Sequence, residues 1–215
     1  MSMNSRLPVG FFARPARLVA VELLGKRLVH IVNGRRVSGL VVETEAYCDG
    51  TDRDLACHGD KANQGNPTPR TAVIFGPAGV AYVYFTYGMH WMFNVVTGEV
   101  GQANAVLIRA LAPQEGLDVM RANRHGRSGK ELTNGPAKLA QALGIDKSLN
   151  KTNLCDPNGV IWCEMATAIA PENVARGPRI GLGKTPEPWL SVPWRYWIKG
   201  NPFVTNEIGK LNARG

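Results

Sequence analysis

Asn33-Gly34 stands between two β-prone runs, RLVHIV at 27–32 and RRVSGLVVETEAY at 35–47. This dipeptide best tolerates positive φ at both central positions of a two-residue turn, so the two runs should fold back on each other as an antiparallel hairpin. A second β cluster, VAYVYFTYGMHWMFNVV followed by ANAVLIRAL, turns at Tyr87-Gly88. Helical patterns are interspersed. Residues 13–24 place Leu18, Val21 and Leu24 on one face, with Pro15 in the first turn and Gly25 at the end. Residues 114–125 and 135–143 also read as helices, the second with Asn134 as N-cap, Pro136 in the first turn and Gly144 beyond the last. After Leu154, short β-like runs (VIWCEM, RIGLG, WRYWIKGNPFV) alternate with Pro/Gly turns. Strands in antiparallel groups without βαβ alternation predict an α+β fold, one compact domain over 1–215 with a sheet and surrounding helices.

The stretch from Cys48 to Pro69 is polar and aperiodic, a long loop of the kind that usually carries function. Lys+Arg is 25 against Asp+Glu 17, a formal net charge of +8. That surplus fits binding to a polyanion, or equally a basic soluble protein with a solvated face. Cys48, Cys57, Cys155 and Cys163 form no CxxC pair and no dense framework, which points to a reducing compartment. The N-terminal segment lacks the pattern of a signal peptide, and no apolar run approaches a bilayer span. A cytoplasmic location is therefore expected, and the lack of a basic tail of the nuclear type leans it towards a bacterial cell and its nucleoid.

Chemistry concentrates in two places. On a regular strand Glu43, Glu45 and Tyr47 share one side, the carboxylates about 6.5–7 Å apart, each discouraging ionisation of the other. Feeding a long loop, they form a candidate general-base site; two surface glutamates on an exposed strand are the plainer reading, which periodicity alone favours. The hairpin around Tyr87 gathers Tyr82, Tyr84 and Phe85 before the turn and His90, Trp91 and Phe93 after it. Tyr82, Trp91 and Phe93 are expected in the core. Tyr87, at a turn tip, has little core to face and is a candidate for stacking on a ligand. His58 lies in the loop four residues after Asp54, a weak metal-ligand spacing with Glu45 nearby. No P-loop, GxGxxG or GxSxG occurs in a convincing context. The residues alone leave open a carboxylate-based hydrolase, a non-enzymatic nucleic-acid-binding domain, and a metal-dependent hydrolase using Glu45, Asp54 and His58.

Taken as an ordered set, these segments resemble a known family. LLGKRLV, VVETEAY, A-C-H in the loop, TPR at 68–70, FGPAG at 75–79, YVYFTYGMHWMFNV at 82–95, AVLIRALAPQEGL at 105–117, NGPAKLAQALGI at 134–145, RIGLG and YWIKGNPFV follow the order of the alkyladenine (3-methyladenine) DNA glycosylases of the mammalian type. The resemblance implies a monofunctional base-excision enzyme that needs no cofactor and no metal. Its substrate is double-stranded DNA carrying alkylated or deaminated purines. Among these, 3-methyladenine and 7-methylguanine are expected, with hypoxanthine and ethenoadenine left open. It implies a monomer without an obligate protein partner or membrane attachment, and a protruding hairpin that intercalates into DNA. By the same resemblance, Glu45 is the catalytic base and Tyr47, His58, Tyr84 and Asn94 form the base pocket, with Asn94 excluding the exocyclic amine of guanine. Tyr87 fills the gap left by the flipped nucleotide. Arg109, Met89 and Arg70 contact the nucleotide or its backbone. Glu43 acquires only a supporting role, and Ile74 stands where the family pattern has methionine.

Overall fold

A computed structural model of the chain describes residues 6–48, 54–61 and 66–205. It opens with two short helices, α1 (Val9–Phe12) and α2 (Ala16–Glu22), followed by β1 (Arg27–Val32) and β2 (Arg35–Tyr47). Asn33 (φ 50°) and Gly34 (φ 75°) make the turn between the strands, as expected of Asn-Gly. Next come α3 (His58–Lys61), β3 (Ala81–Thr86), β4 (His90–Val96) and β5 (Ala105–Glu115). The chain continues through α4 (Leu117–Asn123), α5 (Pro136–Ala142), β6 (Ile161–Glu164), β7 (Val174–Gly177) and β8 (Arg195–Ile198). The fold is α+β, with all eight strands in one sheet paired antiparallel. No described helix is long and apolar enough to cross a membrane.

β2 organises the sheet. One of its edges pairs with β5 from Ser38 to Tyr47; the other is shared, β1 taking Arg35–Leu40 and β8 taking Glu43–Glu45. The β2–β5 ladder is irregular. Val41 opposes Leu111 and Glu43 opposes Ala110, leaving Val42 extra on β2, and Thr44 opposes Ile108, leaving Arg109 extra on β5. Such bulges bend a strand and re-aim its side chains. Here they sit at the residues singled out for chemistry.

Helices α2 and α5 pack on β2, β4 and β5. Phe12, Val19, Leu23, Leu28, Val41, Phe93, Ile108, Leu111, Leu139 and Leu143 form the main core, each large side chain contributing about 1.5–3 kcal/mol by leaving water. A smaller cluster of Cys57, Val73, Ile74, Phe75, Tyr82, Val96, Ala103 and Ala105 supports one end of the sheet.

Several sequence expectations change. The helix expected over 13–24 is shorter, with Pro15 at its N-cap. Its buried face is Ala16, Val19, Ala20 and Leu23, not Leu18, which is 44% exposed. The i, i+3, i+4, i+7 series with small residues approaches the sheet more closely than the Leu18 series could. Gly25 ends the turn at φ 78°, where a Cβ would lie 2.4 Å from the Thr167 carbonyl oxygen. Gly135, not Asn134, caps α5; Asn134 instead accepts a hydrogen bond from Lys138 and donates to Glu131. RIGLG is irregular, whereas VARG, without a β-like apolar run, forms β7. Tyr82 and Phe93 are buried as expected, and Trp91 only partly. The four cysteines are free thiols. Of the loop read from Cys48 to Pro69, residues 49–53 and 62–65 lie outside the described part.

Candidate active site

Glu43 and Glu45 are both completely buried, which overturns the reading of two surface glutamates. β2 lies inside the sheet, flanked at this point by β5 and β8 so that neither edge is open, and Val42 and Thr44 on its other face are buried as well. An isolated buried carboxylate would be prohibitively costly, and each is compensated. The β5 bulge delivers Arg109 between them: its Nε donates to Glu43 at 3.0 Å, and one terminal nitrogen lies 3.1 Å from Glu45. Burial disfavours the charged guanidinium, but the carboxylates of Glu45 and Glu43 outweigh it and raise the Arg109 pKa above its usual value.

Glu45 receives two further donors. The Ile180 backbone N–H donates to Oε1 at 2.7 Å and the Tyr47 hydroxyl to Oε2 at 2.8 Å. Burial, and then the Glu45 charge, push the Tyr47 pKa well above that of an ordinary tyrosine, so it stays a donor. The Arg179 guanidinium lies 4.7 Å from the Tyr47 ring centroid, on the side of its face. Arg179 is itself fixed by Asp54, at 2.5 and 2.8 Å, and by the carbonyl oxygens of Ala46 and Trp189. Asp54 therefore serves an ion pair and is not aimed with His58 and Glu45 at a common point. Among the described residues no three His, Cys, Asp or Glu side chains are grouped to hold a metal ion.

In front of Glu45 opens a cavity of about 360 Å³ whose walls include Tyr47, His58, Tyr84, Asn94 and Arg109, with Ile74, Leu107 and Ile180. The Glu45 carboxylate is one layer behind this surface, reached through three residues that both touch it and line the cavity: Tyr47, Arg109 and Ile180. The ring centroids of His58 and Tyr84 are 4.7 Å apart, and those of Tyr82 and Tyr84 5.1 Å. His58 Nδ1 is 2.9 Å from the Tyr82 hydroxyl, whose pKa burial pushes up to about 12. The Asn94 amide donates to the Tyr82 carbonyl at 3.1 Å, fixing its orientation in the wall. Arg70 is exposed and packs over Tyr84, with its centre 5.3 Å from the ring centroid.

The β3–β4 loop, Tyr87–Met89, stands at the cavity mouth. Tyr87 (75% exposed) and Met89 (66%) project from it, and Tyr87 also lines the cavity. Tyr87 adopts φ 52°, rare for a bulky residue. The structure thus brings Glu45, Tyr47, His58, Tyr84, Tyr87, Asn94 and Arg109 around one cavity, with Met89 and Arg70 at its rim. The sequence reading missed Arg179, Arg195 and the Ile180 amide. Their partners lie more than 120 residues away, so no local pattern marks them.

A family model described as methylpurine-DNA glycosylase (MPG) matches residues 10–202. A protein of Carboxydothermus hydrogenoformans is 44% identical over 201 residues, covering 94% of this chain and 99% of its own. Others from Myxococcus xanthus (45% over 199 residues, 93% of each chain) and Rhodopseudomonas palustris strain BisB18 (45% over 210 residues, 98% and 96%) are equally close. All three carry the name "Putative 3-methyladenine DNA glycosylase".

Proposed function

The chain belongs to the methylpurine-DNA glycosylase family, and from that premise we propose that it is a monofunctional repair enzyme that removes alkylated purines from duplex DNA. The observation that carries this reading is a buried, fully oriented carboxylate, Glu45, directly behind an aromatic-walled cavity of base-like proportions. A target base stacked in a duplex must first be extruded, at a cost of a few kcal/mol. Tyr87 fills the vacated space, and Arg70 and Met89 steady the flanking backbone. The flipped base enters between Tyr47, His58 and Tyr84, and Asn94 obstructs the exocyclic amine of normal guanine.

Glu45 then acts as general base. A carboxylate offers about four acceptor positions; Ile180 and Tyr47 donate to two, Arg109 pairs with the carboxylate at 3.1 Å, and a remaining position accepts the proton of the attacking water. The water oxygen bonds to the sugar C1′ as the C1′–N bond breaks, and the bonding pair leaves with the base. A cationic base such as 3-methyladenine or 7-methylguanine thereby departs neutral, without an acid. The negative Glu45 also stabilises the cationic sugar in the transition state. No metal enters this scheme.

The test is incubation of duplexes carrying 7-methylguanine with wild type and Glu45→Gln in EDTA, followed by alkali. Wild type should release free base and leave alkali-labile abasic sites, with no strand cleavage before alkali. Glu45→Gln should bind the lesion duplex yet lose activity by 100-fold or more, on the order of a full general-base contribution. Single-turnover excision by Glu45→Gln at the wild-type rate would overturn the assignment.

A further inference from the structure

The four buried side chains Arg195, Glu43, Arg109 and Glu45 form a chain of alternating charge. Arg195 donates to Glu43 Oε1 at 3.0 Å, Arg109 Nε donates to the same oxygen at 3.0 Å, and Arg109 reaches on to Glu45 at 3.1 Å. The second Glu43 oxygen accepts the Thr205 backbone N–H at 2.7 Å. Arg195 is anchored in turn on the carbonyl oxygens of Pro178 and Thr205 and over the Trp197 ring. All four side chains are 5% exposed or less.

From this geometry we infer that Glu43 and Arg195 are positioning residues for base excision: they act through Arg109, holding its guanidinium so that it faces both Glu45 and the cavity. A guanidinium is a rigid planar fork, so fixing its Nε end against Glu43 determines where the opposite nitrogens point. Arg109 comes from a bulge rather than from a regular ladder position. Its backbone alone therefore sets its aim loosely, and the Glu43 contact supplies what the strand does not. The charges also matter as a set. Two arginines against two carboxylates are balanced, whereas loss of the Glu43 charge would leave Arg195 without a carboxylate and Arg109 paired with Glu45 alone. Arg195 prevents the converse, in which Glu43 would draw Arg109 wholly to itself.

This inference rests on the proposed role of Glu45. Glu43→Gln keeps the size of the side chain and removes its charge. We expect single-turnover excision of 7-methylguanine to slow by about 10- to 100-fold, as for a misplacement of around 1 Å, with the Kd for lesion DNA unchanged. Adding Arg195→Met to Glu43→Gln removes both groups assigned to hold Arg109 and should slow excision at least as much. A purely structural role predicts instead that the folded variants excise at the wild-type rate, and that result overturns the inference. Should circular dichroism show that Glu43→Gln does not fold, Glu43→Asp is read instead. It keeps the charge but draws the carboxylate away from Arg109; slowing at unchanged Kd supports the inference and a wild-type rate refutes it. Wild type without excision, or active Glu45→Gln, would mark failure of the function itself. A normal Glu45→Gln result beside a wild-type-like Glu43 variant marks failure of this inference alone.

Discussion

Tyr47 does two things at once: its ring lines the cavity and its hydroxyl holds Glu45. Its raised pKa ties that hydrogen bond to alkaline stability. In the unfolded chain tyrosine loses its proton near pH 10, while in the fold Tyr47 keeps it. The folded state therefore binds more protons above that pH, and stability falls as pH rises past 10. Tyr47→Phe should flatten this loss, seen as a smaller change in urea midpoint between pH 9 and 11. Tyr82 and Tyr84, raised by burial in the same direction, leave part of the slope in place. At neutral pH the same variant should excise roughly 10-fold more slowly, since one charge-assisted hydrogen bond to Glu45 is gone. Near-wild-type rate would mean that Arg109 and Ile180 suffice to orient the carboxylate.

At the level of elements, the Asp54–Arg179 pair fastens the segment leading into α3 to β2 and to the RIGLG turn, from which the Ile180 amide reaches Glu45. Breaking a fully buried pair by removing one partner leaves an uncompensated charge. Asp54→Ala should therefore cost about 3–5 kcal/mol in urea or thermal unfolding; a cost below about 1 kcal/mol would show that water or a neighbour replaces Asp54. This pair also marks how far the sequence could be read. The Asn33-Gly34 hairpin and the Tyr87 tip were legible because local turn chemistry fixes them. Glu45 could be picked out only through ordered family motifs, because an acidic residue on a strand normally faces solvent and periodicity cannot reveal that β8 covers that edge. Arg179 and Arg195 were illegible for the same physical reason: their roles exist only once distant strands meet. The bulges that aim Arg109 left no trace in the residue pattern either.

For the whole molecule, the buried arginines 109, 179 and 195 are matched by Glu43, Glu45 and Asp54. The formal surplus of +8 is thus carried by the remaining residues. Binding to duplex DNA should weaken steeply with salt, by roughly 100-fold between 50 and 200 mM for about four phosphate contacts. On the proposed function, single-turnover excision at saturating protein should change far less, because the buried charges around Glu45 are shielded from solvent. Titration of a fluorescent duplex at several salt concentrations measures the slope, and a flat response would place recognition in the cavity alone.

The Thr205 contact with Glu43 has a consequence for how the enzyme comes into being. A polypeptide leaves the ribosome N-terminus first, so Glu43 and Glu45 emerge long before Arg195 and Thr205, which are 152 and 162 residues downstream of Glu43. The buried charge cluster is thus closed by C-terminal parts of the described fold. On the proposed function, a prematurely released fragment, even one that includes the cavity-lining residues from Tyr47 to Thr185, lacks the groups that complete the cluster. An activity that cuts bases out of a genome is thereby withheld from incomplete products of translation.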